Sequence, residues 1–144
     1  MSVQILIERY MGKAILKIES RTNNIAMIEP YLKEIIAENH ICSERYADIL
    51  ISLTEAVNNA IIHGNDQDES KFVKINMTEG DQGVVFSVTD EGDGFDPDNI
   101  PDPTTEQFIE CCGGRGVFII KSLADSVNYQ DNGCTVNMRF GQVS

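Results

Sequence analysis

Short apolar runs in this chain come in consecutive pairs, and the fold class follows from that order. Runs at 3–9 and 13–19 flank Tyr10-Met11-Gly12, runs at 71–78 and 84–90 flank Glu79-Gly80-Asp81-Gln82-Gly83, and runs at 126–130 and 134–140 flank Asp131-Asn132-Gly133. Strands joined by so few residues pair antiparallel, because a parallel pair needs a crossover of about a dozen residues or more. Between the pairs the period changes. Ile25, Ile28, Leu32, Ile35 and Ile36 recur at three and four, predicting a helix over 24–39 with Pro30 as its weakest feature. A second helix is expected from Ser43, as N-cap, to His63, with Ile49, Leu50, Leu53, Val57, Ala60 and Ile61 as its apolar stripe and Gly64 as its stop. A third is expected over 116–124. Two hairpin strands, two helices, two strands, a helix and a closing hairpin make an α+β two-layer sandwich, a mostly antiparallel mixed sheet with helices on one face. A doubly wound parallel sheet fits poorly.

The 144 residues, 42% of them hydrophobic, suit one domain over 1–144 that buries about two-thirds of the surface of its unfolded chain. The longest apolar stretches, such as Val117-Phe118-Ile119-Ile120, fall far short of the roughly 18 residues of a membrane span, and the N-terminus lacks a signal-peptide pattern. A soluble, cytoplasmic protein without membrane contact is expected. A net charge of -12 opposes direct nucleic-acid binding, which draws its affinity from Lys and Arg neutralising phosphates. Cys42, Cys111, Cys112 and Cys134 show no CxxC spacing and read as reduced thiols. His40 and Cys42 lack the second ligand pair that a zinc site requires.

Three constellations carry chemistry. Glu55, Asn59 and His63 are spaced four apart, each about 40° round the helix from the last, so they share one polar face of an otherwise apolar helix. Alone, such a face is often a solvated stripe. Second, Asp90-Glu91-Gly92-Asp93-Gly94-Phe95-Asp96-Pro97 follows a strand-like run. Its alternate glycines permit close backbone approach, and a strand-end carboxylate there can accept a hydrogen bond from a purine amino group. Turn chemistry alone would also make this an acidic hairpin turn, whereas the EF-hand calcium spacing is missing. Third, Gly113-Gly114-Arg115-Gly116 opens a helix, so free amides and the positive dipole end would face a phosphate. No GxxxxGK[ST] loop occurs. Residues 91–112, long for a connection without structure of its own, suggest a functional loop.

In this order the motifs resemble those of the GHKL, or Bergerat-fold, ATPases, most closely the anti-sigma-factor serine kinases of the RsbW and SpoIIAB type. The stretch Leu53-Thr54-Glu55-Ala56-Val57-Asn58-Asn59-Ala60-Ile61-Ile62-His63-Gly64 resembles the N-box, 90–97 the first glycine box, and 114–125 the second. Gly133-Cys134-Thr135-Val136 resembles the closing Gly-Thr strand. The resemblance implies Glu55 as general base, Asn59 as magnesium ligand, Asp90 as adenine reader and Thr135 as a supporting adenine contact. Gly92 and Gly94 would shape the base pocket, and Gly114 and Gly116 would let the loop close on the phosphates. Some relatives carry an arginine where this chain has Cys111-Cys112, leaving Arg115 or Lys121 to clamp phosphate. His63 sits on the nucleotide-site helix rather than on a separate dimerisation helix, and is read as a helix-end cap and not as a phosphoacceptor. Implied too are ATP and Mg2+ as cofactors, a STAS-type anti-sigma antagonist as phosphorylation substrate, a sigma factor as second partner, and a homodimer. The competing expectation is a nucleotide-dependent switch that captures its partner without phosphorylating it, with residues 91–112 as the moving element.

Overall fold

A computed structural model of the chain describes residues 7–10, 13–39, 41–80, 82–92 and 114–141. Six strands form one sheet in the order β1-β2-β3-β4-β6-β5: β1 Ile7–Tyr10, β2 Lys13–Glu19, β3 Phe72–Gly80, β4 Gly83–Thr89, β5 Ser126–Gln130 and β6 Thr135–Phe140. Every pairing among them is antiparallel, so the mixed character expected from sequence does not occur among the described residues. After β4 the chain reaches the sheet edge at β5 and turns back, which slots β6 between β5 and β4.

Side chains alternate across the strands as the pleat requires. Leu16, Val73, Ile75, Phe86, Val88, Met138 and Phe140 are buried on one face together with the helical residues Tyr31, Leu32, Ile49, Leu53 and Ile61. Burying each Leu, Ile or Phe of this core contributes about 1.5–3 kcal/mol. The other face mixes polar residues such as Lys17, Lys74, Asn76 and Arg139 with Ile15, Phe72 and Val85, and Ser87 Oγ donates to Asn137 Oδ1 across that surface. Among the described residues the sandwich is thus two-layered, with the helices on one side.

Each helix departs from its expected bounds for a local reason. Helix α1 spans Ile28–Asn39, and a 3-10 turn at Thr22–Met27 occupies what the spacing suggested was its start. Pro30 has no N–H to return to the carbonyl four residues back, so it fits the first turn of an α-helix and not its interior. Helix α2 spans Tyr46–Asn59. Ser43 is not its N-cap: it opens a 3-10 turn, Ser43–Arg45, without a side-chain capping bond. The end of α2 widens into a π-turn at Ala60–Gly64, closed by Asn65 N–H donating to Ala60 O at 2.8 Å. Such single π-turns inside helical runs often accompany functional sites. Helix α3, Gly114–Leu123, packs against α2.

Arg45 fixes the mutual placement of α2 and α3. Its guanidinium reaches Asp48 Oδ2 at 3.1 Å and Asp125 Oδ2 at 3.3 Å, and it lies 5.4 Å from the centre of the Phe140 ring. Because this Arg is only 15% exposed, the pair with Asp48 is screened less than a surface ion pair would be. The clamp holds the C-terminal end of α3 beside the start of α2, which aims the N-terminal end of α3 at the C-terminal turns of α2.

Candidate functional site

A cavity of about 130 Å³ opens between α2, α3 and the sheet. Its walls are apolar: Ala56 and Ala60 from the α2 run, Val117 and Ile120 from α3, Val88 and Val136 from the sheet. Asn59, His63, Asp90, Tyr129 and Cys134 supply its polar groups. Apolar walls with a few convergent polar groups suit a flat heteroaromatic ring, and the volume lies below the roughly 300–1,000 Å³ that encloses a whole drug-sized ligand. One ring system would sit inside and the remainder of a larger molecule would project.

Asp90 stands at the end of β4, held from both sides. Its backbone N–H donates to Cys134 O at 2.9 Å, and its Oδ1 accepts from the Gly92 N–H at 2.9 Å. Burial raises its pKa above the ordinary aspartate value, opposed by the Gly92 N–H and the Cys134 thiol, which favour the anion. A partly desolvated acceptor aimed into an apolar slot is what recognition of a ring amino group requires.

Glycine lets the site close up. A β-carbon on Gly64 would lie 2.3 Å from Asp90 Oδ2, and one on Gly92 would lie 1.8 Å from the Gly64 carbonyl oxygen. That second contact is backbone against backbone, so no side-chain rotation relieves it. Gly92→Ala is therefore expected to push the turn off the π-turn and weaken adenine-nucleotide binding by about tenfold or more, the equivalent of one lost charged hydrogen bond. Calorimetric titration with ATP checks this, and native affinity in the variant would show that the turn has slack that the geometry denies.

At the other end, Gly116 of α3 lies against Glu55 and Asn59 of α2. A β-carbon there would approach Asn59 Nδ2 to 2.9 Å and Glu55 Oε2 to 3.0 Å. The amide end of α3 and the Glu55/Asn59 pair thus converge, giving positive dipole, a carboxylate and an amide around one point. Gly114 is the first residue of α3. Arg115 is exposed beside it, whereas Lys121, in the last turn, stands roughly 9 Å further along the axis. Among the described residues no group of three His, Cys, Asp or Glu side chains could hold a metal. A magnesium ion here would draw most of its oxygen ligands from bound phosphates and water, which is its common habit, and the Asn59 amide fits that donor set.

The structure thus brings Glu55, Asn59 and Gly116 together at one place and Asp90, Gly64 and Gly92 at another, with Asn59 and Asp90 both lining the cavity. Gly94, Cys111 and Cys112 lie outside the described residues. Thr135 needs correction. It pairs with Thr89 while Val136 pairs with Val88, and since Val88 and Val136 line the cavity, strand alternation sends Thr135 to the opposite face. There its hydroxyl lies 3.0 Å from Thr89 Oγ1 and donates to Asp131 Oδ2 at 3.2 Å. Cys134 lines the cavity instead, with Sγ 3.2 Å from Gly92 O. Counting back in twos from Phe140, Met138 and Val136 would have found Cys134.

Residues 18–140 match the family described as "Histidine kinase-like ATPase domain". A Bacillus subtilis protein named "Serine-protein kinase RsbW" is 27% identical over 132 residues, covering 85% of this chain and 81% of its own. Two proteins named "Anti-sigma F factor" are similar to the same degree. One, from Clostridium botulinum, is 26% identical over 136 residues, 90% of this chain and 94% of its own. The other, from Clostridium perfringens, is 28% identical over 134 residues, 89% and 95%. No helix among the described residues is long and apolar enough to cross a membrane. With the match running from the end of β2 through β6 and the cavity lying within it, the chain belongs to the histidine kinase-like ATPase domain family.

Proposed function

We propose that the protein is an ATP-dependent serine kinase that acts as an anti-sigma factor in the cytoplasm, phosphorylating a STAS-type antagonist and otherwise sequestering a sigma factor. The observation that carries the reading is the proximity of Gly116 to both Glu55 and Asn59, at one end of a cavity whose other end holds Asp90. The names of the similar proteins support serine-kinase activity and a sigma factor as partner.

Bound Mg-ATP supplies the transferable phosphoryl group and the charge neutralisation that its transfer needs. The chain does the rest by position. Asp90 accepts a hydrogen bond from the purine amino group, and the apolar walls exclude water from the ring. The amides at the start of α3, with Arg115 beside them, would hold the phosphates, and Asn59 would hold the magnesium ion. Glu55 Oε2 takes the proton of the attacking serine hydroxyl, an effect usually worth about 10²–10⁴ in rate. The active form is a homodimer.

The test is to incubate the protein with Mg-ATP and a cognate STAS-domain antagonist and to measure the antagonist's intact mass. Gain of one phosphate, mapped to a serine, is expected. A captured antagonist whose mass never changes would replace the kinase with a nucleotide-dependent binding switch.

A further inference from the structure

Beyond the motif residues, one buried side chain ties the purine end of the cavity to the rest of the fold. Asn65 follows the π-turn and is fully buried. Its Oδ1 accepts from the Glu91 N–H at 2.7 Å, while its Nδ2 donates to Ser20 Oγ at 2.8 Å and to Phe72 O at 3.0 Å. Ser20 Oγ in turn donates to Lys71 O at 2.7 Å. The orientation is fixed by chemistry: a flipped amide would set Nδ2 against an N–H and Oδ1 against a carbonyl. One amide therefore joins the end of β2, the start of β3 and the residue directly after Asp90.

Two further observations show that this corner is held and not merely filled. Asp66 and Gln67 follow with φ of 53° and 56°, a left-handed conformation uncommon for non-glycine residues, and the Gln67 N–H donates back to Ile61 O at 2.8 Å. Also, Glu91 is doubly anchored, its N–H to Asn65 and its carboxylate accepting from the Phe72 N–H. Asp90 is thus bracketed by Cys134 O on its own N–H and by Asn65 on the next one.

We propose that Asn65 is a positioning residue for purine recognition: through the Glu91 N–H it sets the direction in which Asp90 presents its carboxylate to the ring amino group. This inference rests on the nucleotide site described above and adds to it a residue that touches neither nucleotide nor metal. Its signature is selective. Loosening the corner weakens the reading of the ring and spares the grip on the phosphates.

The test compares ATP with inosine triphosphate, which has the same ribose and phosphates but a carbonyl in place of the amino group. Native protein is expected to favour ATP by about tenfold or more, the scale of a charged hydrogen bond. In Asn65→Ala the preference is expected to fall to about threefold or less, with affinity for inosine triphosphate little changed on that scale. Full discrimination in a cooperatively folded Asn65→Ala protein would overturn the inference. So would equal losses for both nucleotides, the mark of a purely structural role. Should Asn65→Ala not fold, Ser20→Ala carries the test, because it keeps Asn65 and removes one partner that holds its amide; a reduced preference supports the proposal and an unchanged one ends it. If the native protein itself does not discriminate, the reading of Asp90 fails, and that outcome is distinct from a failure of Asn65.

Discussion

Glu55→Gln is expected to bind Mg-ATP with nearly native affinity and to transfer phosphate to the antagonist serine about 10²–10⁴ times more slowly. The two effects separate because of where Glu55 sits. It lies one turn before Asn59 on α2, with its Oε2 against Gly116, and it is not among the residues that wall the cavity. The purine and its apolar contacts therefore do not depend on it, whereas a hydroxyl arriving at the phosphate end would meet its carboxylate. Glutamine keeps the shape and the acceptor oxygen but cannot take up a proton. Single-turnover transfer, followed by intact mass at saturating ATP, reads the chemical step, and calorimetry reads binding. Transfer at the native rate would remove Glu55 from the mechanism. Lost ATP affinity would instead make it a binding residue.

Features set by a covalent period were legible in the sequence, and features set by distant partners were not. Glu55 and Asn59 are separated by four residues on an apolar helix, and helical geometry alone puts them side by side. The three hairpins were equally plain, since turn-rich tripeptides and pentapeptides between alternating runs leave little choice of pairing. Thr135 went astray for a different reason. Motif likeness placed it beside the adenine, yet the pleat decides facing, and Val136 on the inner face commits Thr135 to the outer one. The 3-10 start ahead of α1 was foreshadowed by Pro30, whereas nothing local announces the π-turn at Ala60–Gly64. Asn65 was the least visible of all. After a helix stop an asparagine reads as a turn residue, and its burial is created by Ser20, 45 positions before it, and by Glu91, 26 positions after it.

Asp90→Asn is expected to weaken adenine-nucleotide binding by about 10–100-fold, as befits a lost charged hydrogen bond, without lowering the stability of the nucleotide-free protein. The second half follows from linkage. Burial raises the pKa of Asp90 in the folded state, so in the window between its unfolded and folded values the folded chain binds more protons than the unfolded one, and stability falls as pH rises through it. Above the folded value Asp90 is ionised in both states, and the full cost of holding a partly desolvated anion is present; below the unfolded value that cost is gone. Asparagine never carries it, and its Oδ1 can still accept from the Gly92 N–H that now meets the carboxylate. At neutral pH the nucleotide-free variant should therefore melt no lower than the native protein, and any advantage should shrink on acidification. Paired measurements of thermal midpoint and ATP affinity decide the matter. A variant that loses affinity because it is less stable would identify Asp90 as a structural residue of the turn, whereas lost affinity on an intact fold leaves the carboxylate with one role, reading the ring.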